Sequence, residues 1–201
     1  MFFVQWKDIR TYAEEKGIRI IGDMPIYVSM DSADVWAHPE MFQLDGERRP
    51  VEVSGCPPDG FSDKGQMWGN PLFDWEGMKK DGYSWWNRRI EYLTGIYHVL
   101  RIDHFRGFES YYAIPYGADD ASKGCWRKGP GIDFFRTVES AIGKKDIIAE
   151  DLGFVTPDVA ELLKETGYPG MKVLEMAFDK RDPQGLSLIH ISEPTRQEAI
   201  S

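Results

Sequence analysis

Three stretches decide how this chain folds: Val99-Leu100-Arg101-Ile102-Asp103, Asp146-Ile147-Ile148-Ala149-Glu150, and Ile18-Arg19-Ile20-Ile21-Gly22-Asp23. Each is a short apolar run of strand length, and each runs out on a carboxylate. Helical patterns lie around them. Phe3, Trp6, Ile9, Tyr12 and Ala13 recur at helical spacing before a stop at Gly17. Trp86, Ile90, Leu93 and Tyr97 continue a second helix, with Arg88 and Arg89 on another face, and Phe134, Phe135, Val138 and Ile142 form the apolar side of a third. Thr156 and Pro157, an N-cap followed by a first-turn proline, open a fourth through about Glu165, and Met171 to Phe178 is a further strand candidate. Strands alternating with helices imply parallel pairing through helical crossovers. A doubly wound nucleotide fold is disfavoured, because no G-x-G-x-x-G or P-loop follows any strand. Acids at the C-terminal ends of successive strands favour a closed barrel. The expected fold class is therefore α/β, a partial (β/α)8 TIM barrel.

Working outward, residues 24–82 are rich in Pro, Gly, Asp and aromatics and show no sustained period. They are too long for an ordinary connection and read as a long irregular functional insertion with short elements of its own. A second irregular piece runs from roughly residue 105 to 130. The whole chain has 201 residues and a formal net charge of -9, which lacks the electrostatic footprint of a nucleic-acid binder. No apolar run approaches the ~20 residues of a membrane span, and no signal peptide opens the chain. Two cysteines, Cys56 and Cys125, argue for a reducing compartment, so the expected location is cytoplasmic.

The chemistry is expected at the strand ends. Arg101 and Asp103 are two apart in a strand and point to one face, where the guanidinium would hold the carboxylate ionised, as a nucleophile must be. A structural ion pair closing the strand explains the spacing equally well. Glu150 follows an apolar run that should desolvate it and raise its pKa, which suits a proton donor; a loop-capping acid is the plainer alternative. Together the two acids match the retaining arrangement of glycoside chemistry, which sets such carboxyls ~5–5.5 Å apart. Aromatic residues make up 13% of the chain, and sugar rings stack their C–H faces on such side chains. Residues 57–75 interleave Phe61, Trp68, Phe73 and Trp75 with Asp59, Asp63, Gln66 and Asn70. Phe73 and Trp75 read better as packing, and Trp68 as a ligand surface. Asp23-Met24-Pro25 is either a catalytic acid or a turn. Asp31, Asp34, His38 and Glu40 are as easily turn formers as metal ligands. His98 and His104 cross a helix–strand boundary, which argues against a metal pair. Cys56 and Cys125 lack the surroundings of a reactive thiolate.

The residues also carry a resemblance. IGDMPIYV (21–28), PPDGFSDKGQMWGNPL (57–72), VLRIDHFRGFESYYAIP (99–115), IIAEDLG (147–153) and PGMKVLEMAFD (169–179) resemble the 4-alpha-glucanotransferases, the amylomaltase or disproportionating-enzyme family of the α-amylase clan. The likeness runs from about Phe2 to Asp179, and HFRGFE favours the transferases over the clan's hydrolases. It implies that Asp103 is the nucleophile, Glu150 the general acid/base, and Arg101 the residue that orients and ionises Asp103. Asp23 would lie near the donor sugar. Residues 58–70 would form a flexible loop over the cleft, with Gln66, Trp68 and Asn70 contacting glucan; Asp59 and His104 complete the candidate sugar contacts. The implied partners are maltooligosaccharides and 1,4-alpha-glucans, with no metal or organic cofactor required and the oligomeric state open. By family order the strands correspond to about strands 3 to 6 of eight.

Two departures bear on the reading. The clan's histidine–aspartate pair on a later strand does not occur after Phe178. The segment 186–201, LSLIHISEPTRQEAIS, resembles the translation of a transposase-type sequencing adaptor followed by a variable index. It is therefore excluded from fold and function, His190 included. Residues 1–185 are expected to be a partial catalytic barrel, an internal piece of a longer enzyme and inactive by itself. The competing readings are an amylase-type glycoside hydrolase and a non-catalytic glucan-binding remnant.

Overall fold

The structure is a computed structural model that describes residues 1–60, 62–153 and 155–173. Along the chain it forms α1 (Phe2–Glu15), β1 (Ile21–Met24), α2 (Ala33–Ala37), β2 (Glu52–Cys56), β3 (Gln66–Pro71), α3 (Trp75–Lys80), α4 (Ser84–Ile96), β4 (Val99–Ile102), β5 (Ser110–Pro115), β6 (Cys125–Lys128), α5 (Ile132–Ile142), β7 (Ile147–Ala149) and α6 (Pro157–Thr166). The result is mixed α/β, with two sheets of different character.

The first sheet is parallel, in the order β1-β4-β7. Its register aligns Asp23, Arg101 and Ile148 in one row across the three strands. Side chains alternate across a sheet, so Met24, Ile102 and Ala149 share the opposite face, and all three are wholly buried. The helices cover that apolar face: Ile90 and Trp86 of α4, Phe135 of α5 and Leu162 of α6 join the same core. Thr156 caps α6 by accepting from the Val159 amide, and Pro157 fills its first turn. Past the strand ends the ladder continues. Asp103 N donates to Met24 O at 3.0 Å, Glu150 N to Ile102 O at 2.9 Å, and Ala149 N to Pro169 O at 2.9 Å.

The first strand lies three residues later than its apolar run. Ile18 and Ile21 are exposed, and the buried residues of the paired strand are Gly22 and Met24. Gly22 is needed there, because a Cβ would collide with the Tyr97 ring. As a consequence Asp23 sits within the strand instead of after it.

The two irregular pieces are also less irregular than their composition. β2 and β3 from the first and β5 and β6 from the second join in one antiparallel sheet, ordered β3-β2-β5-β6. Its strands are only four to six residues long and its central pairing, β2 with β5, joins segments far apart in the chain, so no local period announces it. Of the proposed strand Met171–Phe178, residues 171–173 carry no regular structure and 174–178 lie outside the described residues, as does the segment 186–201.

Much of the aromatic excess is core. The Trp86 ring is fully buried and lies 5.3 Å from Phe73, 5.4 Å from Phe108, 5.5 Å from Phe134 and 5.8 Å from Trp75. Arg89, which periodicity sets on the polar face of α4, lies 5.0 Å and 5.2 Å from the Trp85 and Trp86 rings and donates to Pro25 O. Burial pushes its pKa down to about 10 against the opposing pull of Asp34.

Candidate active site

The open face of the parallel sheet gathers the charged groups. Arg101, at the centre of the middle strand, reaches Asp23 Oδ1 at 2.6 Å through one guanidinium nitrogen and Asp103 Oδ1 at 2.7 Å through the other. The register explains this. Asp23 stands level with Arg101 on the neighbouring strand, and Asp103 is two residues further along the same strand. Burial works against the charge on Arg101, yet the hydrogen bonds and charges of the two aspartates outweigh it and raise its pKa. The guanidinium Nε also points to Met171 Sδ at 3.1 Å. Sequence spacing pairs Arg101 with Asp103; the bond to Asp23 appears only when β1 is laid beside β4.

Glu150 leaves β7 on the same side. Its Oε2 accepts from the His104 amide at 2.9 Å and its Oε1 from the Leu152 amide at 2.8 Å. Burial raises its pKa; those two amides oppose the rise, while the charge of Asp103 adds to it and that of Arg101 subtracts. This carboxyl is thus held in place by backbone donors and still biased toward keeping its proton.

His104 makes the junction. Its backbone is left-handed, with φ 52° and ψ 49°, a conformation that histidine tolerates better than most residues. The turn this creates aims its amide at Glu150 and its ring at Trp68, edge-on with centroids 4.8 Å apart. Burial, helped by the charge of Arg106, pushes the imidazole down to about 4, so it is neutral near pH 7. Its Nε2 is buried and has no partner among the described residues. Tyr27, which no spacing signal marks, packs on His104, Trp68 and Phe73 at 6.3–6.4 Å.

The remaining candidates separate into two groups. Trp68 is 37% exposed and donates its indole N–H to Gln66 Oε1 at 3.1 Å, so both are available at the surface of β3. Asn70 is half-buried and works within the scaffold: Nδ2 donates to Val28 O at 3.0 Å, and Oδ1 accepts from Ser54 Oγ at 3.2 Å. Asp59 is exposed and closes a turn by accepting from the Ser62 amide at 2.8 Å. Phe61 lies outside the described residues. Phe73 and Trp75 are buried, as their packing role requires. His98 also serves the scaffold: Nδ1 accepts from the Ile20 amide at 2.9 Å and Nε2 faces Glu14 at 2.8 Å. Burial pushes the Cys56 thiol up to about 11. Among the described residues no helix is long and apolar enough to cross a membrane.

Known proteins resemble this chain in sequence and in fold. A family model described as 4-alpha-glucanotransferase matches residues 1–198. The chain is 53% identical over 181 residues to the 4-alpha-glucanotransferase of Streptococcus pneumoniae, covering 90% of this chain and 36% of that protein. It is 52% identical over 179 residues to the Thermus thermophilus 4-alpha-glucanotransferase, covering 89% and 36%. Among solved structures, the amylomaltase from Streptococcus agalactiae in complex with acarbose superposes with a TM-score of 0.86 at 45% identity, covering 94% of this chain and 38% of that one. The amylomaltase from Corynebacterium glutamicum shares the fold at 22% identity, with a TM-score of 0.74. The chain therefore spans a little over a third of the length of the curated relatives it matches. On a match that runs nearly end to end, the chain belongs to the 4-alpha-glucanotransferase family.

Proposed function

We propose that this sequence forms part of the catalytic barrel of a cytoplasmic 4-alpha-glucanotransferase. The enzyme would move a segment of a 1,4-alpha-D-glucan to the 4-hydroxyl of an acceptor glucose or glucan. The observation that carries the reading is the arrangement at the strand ends: Arg101 binding Asp23 and Asp103 while Glu150, with a raised pKa, hangs on the His104 and Leu152 amides beside them. In the first step Glu150 gives its proton to the glycosidic oxygen as Asp103 attacks the anomeric carbon, forming a β-glucosyl ester on Asp103. In the second, Glu150 takes the proton of the incoming 4-hydroxyl, which attacks the same carbon and releases Asp103, restoring the α linkage. Arg101 orients the nucleophile through their ion pair. Asp23, Gln66, Trp68 and His104 would meet the sugar, while Asp59 closes the turn before β3 and Asn70 ties that strand, which carries Trp68, to Val28 and Ser54. Two carboxyl groups suffice for this chemistry, so it requires no metal or organic cofactor.

The same reading makes β1, β4 and β7 consecutive barrel strands, with the 169–173 segment leading into the next; the Ala149–Pro169 hydrogen bond supports that continuation. Residues 1–185 belong to the barrel and 186–201 to the adaptor-like segment. The decisive experiment incubates the product of the uninterrupted gene with maltotriose. Glucose together with oligosaccharides longer than maltotriose is the expected outcome, whereas glucose and maltose alone would indicate a hydrolase. Asp103→Asn should lower turnover by roughly 10⁴-fold. Unchanged turnover would remove Asp103 from the mechanism.

A further inference from the structure

Away from the strand ends, Trp36 leaves 81% of its surface in solvent although it sits in α2 beside buried Val35. Its indole borders a hollow of about 570 Å³ lined also by Met30, Asp31, Pro39, Leu44 and Arg48. That volume falls in the ~300–1,000 Å³ range of small-ligand sites. Two features separate it from a plain apolar groove. Asp31 and Arg48 are exposed opposite charges in its lining, and neither side chain makes an ion pair or hydrogen bond with any described residue. Both of its walls are also built to hold still.

One wall is the turn at residues 45–49. The Asp45 carboxylate accepts from the amides of Glu47 at 2.8 Å and Arg49 at 2.9 Å, and binds the Arg49 guanidinium at 3.1 Å. The Arg48 amide donates to Asp45 O, and Leu44 bridges Pro50 behind the turn. Arg48 is thereby held at φ 62°, a left-handed backbone that costs energy for a long side chain and persists only where its surroundings impose it. The other wall is α2. Its N-cap Ser32 accepts from the Val35 amide, and Trp85 in the core donates its indole N–H to Asp34 at 2.9 Å. The backbone under Trp36 is therefore anchored while the ring stands out in water.

A hollow lined by an exposed indole, a carboxylate and a guanidinium, the two charges without a partner among the described residues, suits one ligand chemistry better than others. A multivalent anion would be repelled by Asp31, a cation would find one carboxylate, and an apolar segment would strand both charges. A pyranose offers a C–H face to the indole, hydroxyl donors to Asp31 and hydroxyl acceptors to Arg48. We propose that this hollow is a second carbohydrate site, which holds a stretch of 1,4-alpha-glucan outside the catalytic cleft. The proposal rests on the glucan reading above. The hollow begins at Met30, two residues beyond the Val28 carbonyl that Asn70 of β3 ties down, so the segments carrying Trp36 and Trp68 are fastened to each other.

The test follows each indole separately. The full 201-residue chain, labelled with 5-fluorotryptophan, has seven tryptophan signals that single Trp→Phe variants assign. Titration with maltoheptaose should move the Trp36 signal along a saturating curve, and should still do so in Trp68→Phe. Arg48→Ala should weaken that curve by roughly tenfold and Asp31→Asn by about threefold, with the buried Trp86 signal unmoved as the check on folding. A Trp68 signal that moves while Trp36 stays still, or moves only linearly, overturns the second site and leaves the cleft standing. Movement of Trp36 alone would uphold the second site and sink the cleft reading at Trp68. Stillness of both would overturn both. Unchanged affinity in both Arg48→Ala and Asp31→Asn would overturn the site as built.

Discussion

Glu150 shows what a single residue owes to its surroundings. Its apolar approach, Ile147-Ile148-Ala149, makes desolvation legible in the sequence, and burial is indeed the leading cause of its raised pKa. The His104 and Leu152 amides that hold it are not legible, because they arrive from the turn after β4, 46 residues earlier, and from its own loop. The coupling predicts signs. In ¹³C-labelled chain the Glu150 carboxyl should titrate above the ordinary glutamate value of about 4.3. Asp103→Asn should lower that midpoint by removing a like charge, and Arg101→Gln should raise it by removing an opposite one; no movement in either variant would break the proposed proximity of the two acids. The same shift sets a pH dependence of stability. A folded pKa above the unfolded value means that the native state holds the proton longer. The contribution of Glu150 is then full below about pH 4.3 and is lost as pH rises through the raised value. Glu109 does the opposite. Burial raises its pKa, but hydrogen bonds from Lys128 and Ser110 outweigh that and lower it, so its contribution is present above the ordinary value and lost as pH falls through the lowered one.

At the scale of elements, local signals and non-local pairing divide the molecule. α6 is announced by Thr156-Pro157 and is capped as announced, so Thr156→Ala should cost about 1 kcal/mol in urea unfolding with the slope unchanged. β4 and β7 fall within the apolar runs that announce them, and the acids that follow both are where the pattern puts them. The antiparallel sheet is different. Nothing in Glu52–Cys56 alternates cleanly, since Val53, Ser54 and Gly55 are all buried between β3 and β5. Gly55 is there because a Cβ would meet the Gln66 carbonyl oxygen and the Ile114 side chain. Gly55→Ala should therefore cost about 1–3 kcal/mol and loosen β3, the strand that presents Trp68. A wild-type urea midpoint in that variant would show that the two strands separate more freely than their packing implies.

For the molecule as a whole, the buried aromatic residues tie the helices and the parallel sheet into the main core, while others, Trp36, Trp68 and Trp126 among them, face outward. Trp86 touches Phe73, Phe108, Phe134 and Trp75 at once, so Trp86→Ala should destabilise by roughly 3–5 kcal/mol, a large part of the ~5–15 kcal/mol a domain has, with loss of near-UV circular dichroism. A much smaller loss would mean that the cluster repacks around the gap. The sequence by itself determined the class of the fold, most helices, two of the three parallel strands, and the acids at their ends, because strand length, helical period and caps are local properties of a chain. It determined the family too, through five motifs in order. Only the tertiary structure decided that β1 slides forward to bring Asp23 onto Arg101, and that Asn70 serves the scaffold while Gln66 and Trp68 face water. It also decided that two unpatterned segments make one sheet. The reason is the same in each case: register, burial and cross-strand contact depend on which distant backbone lies alongside, and a one-dimensional pattern carries no record of its neighbour.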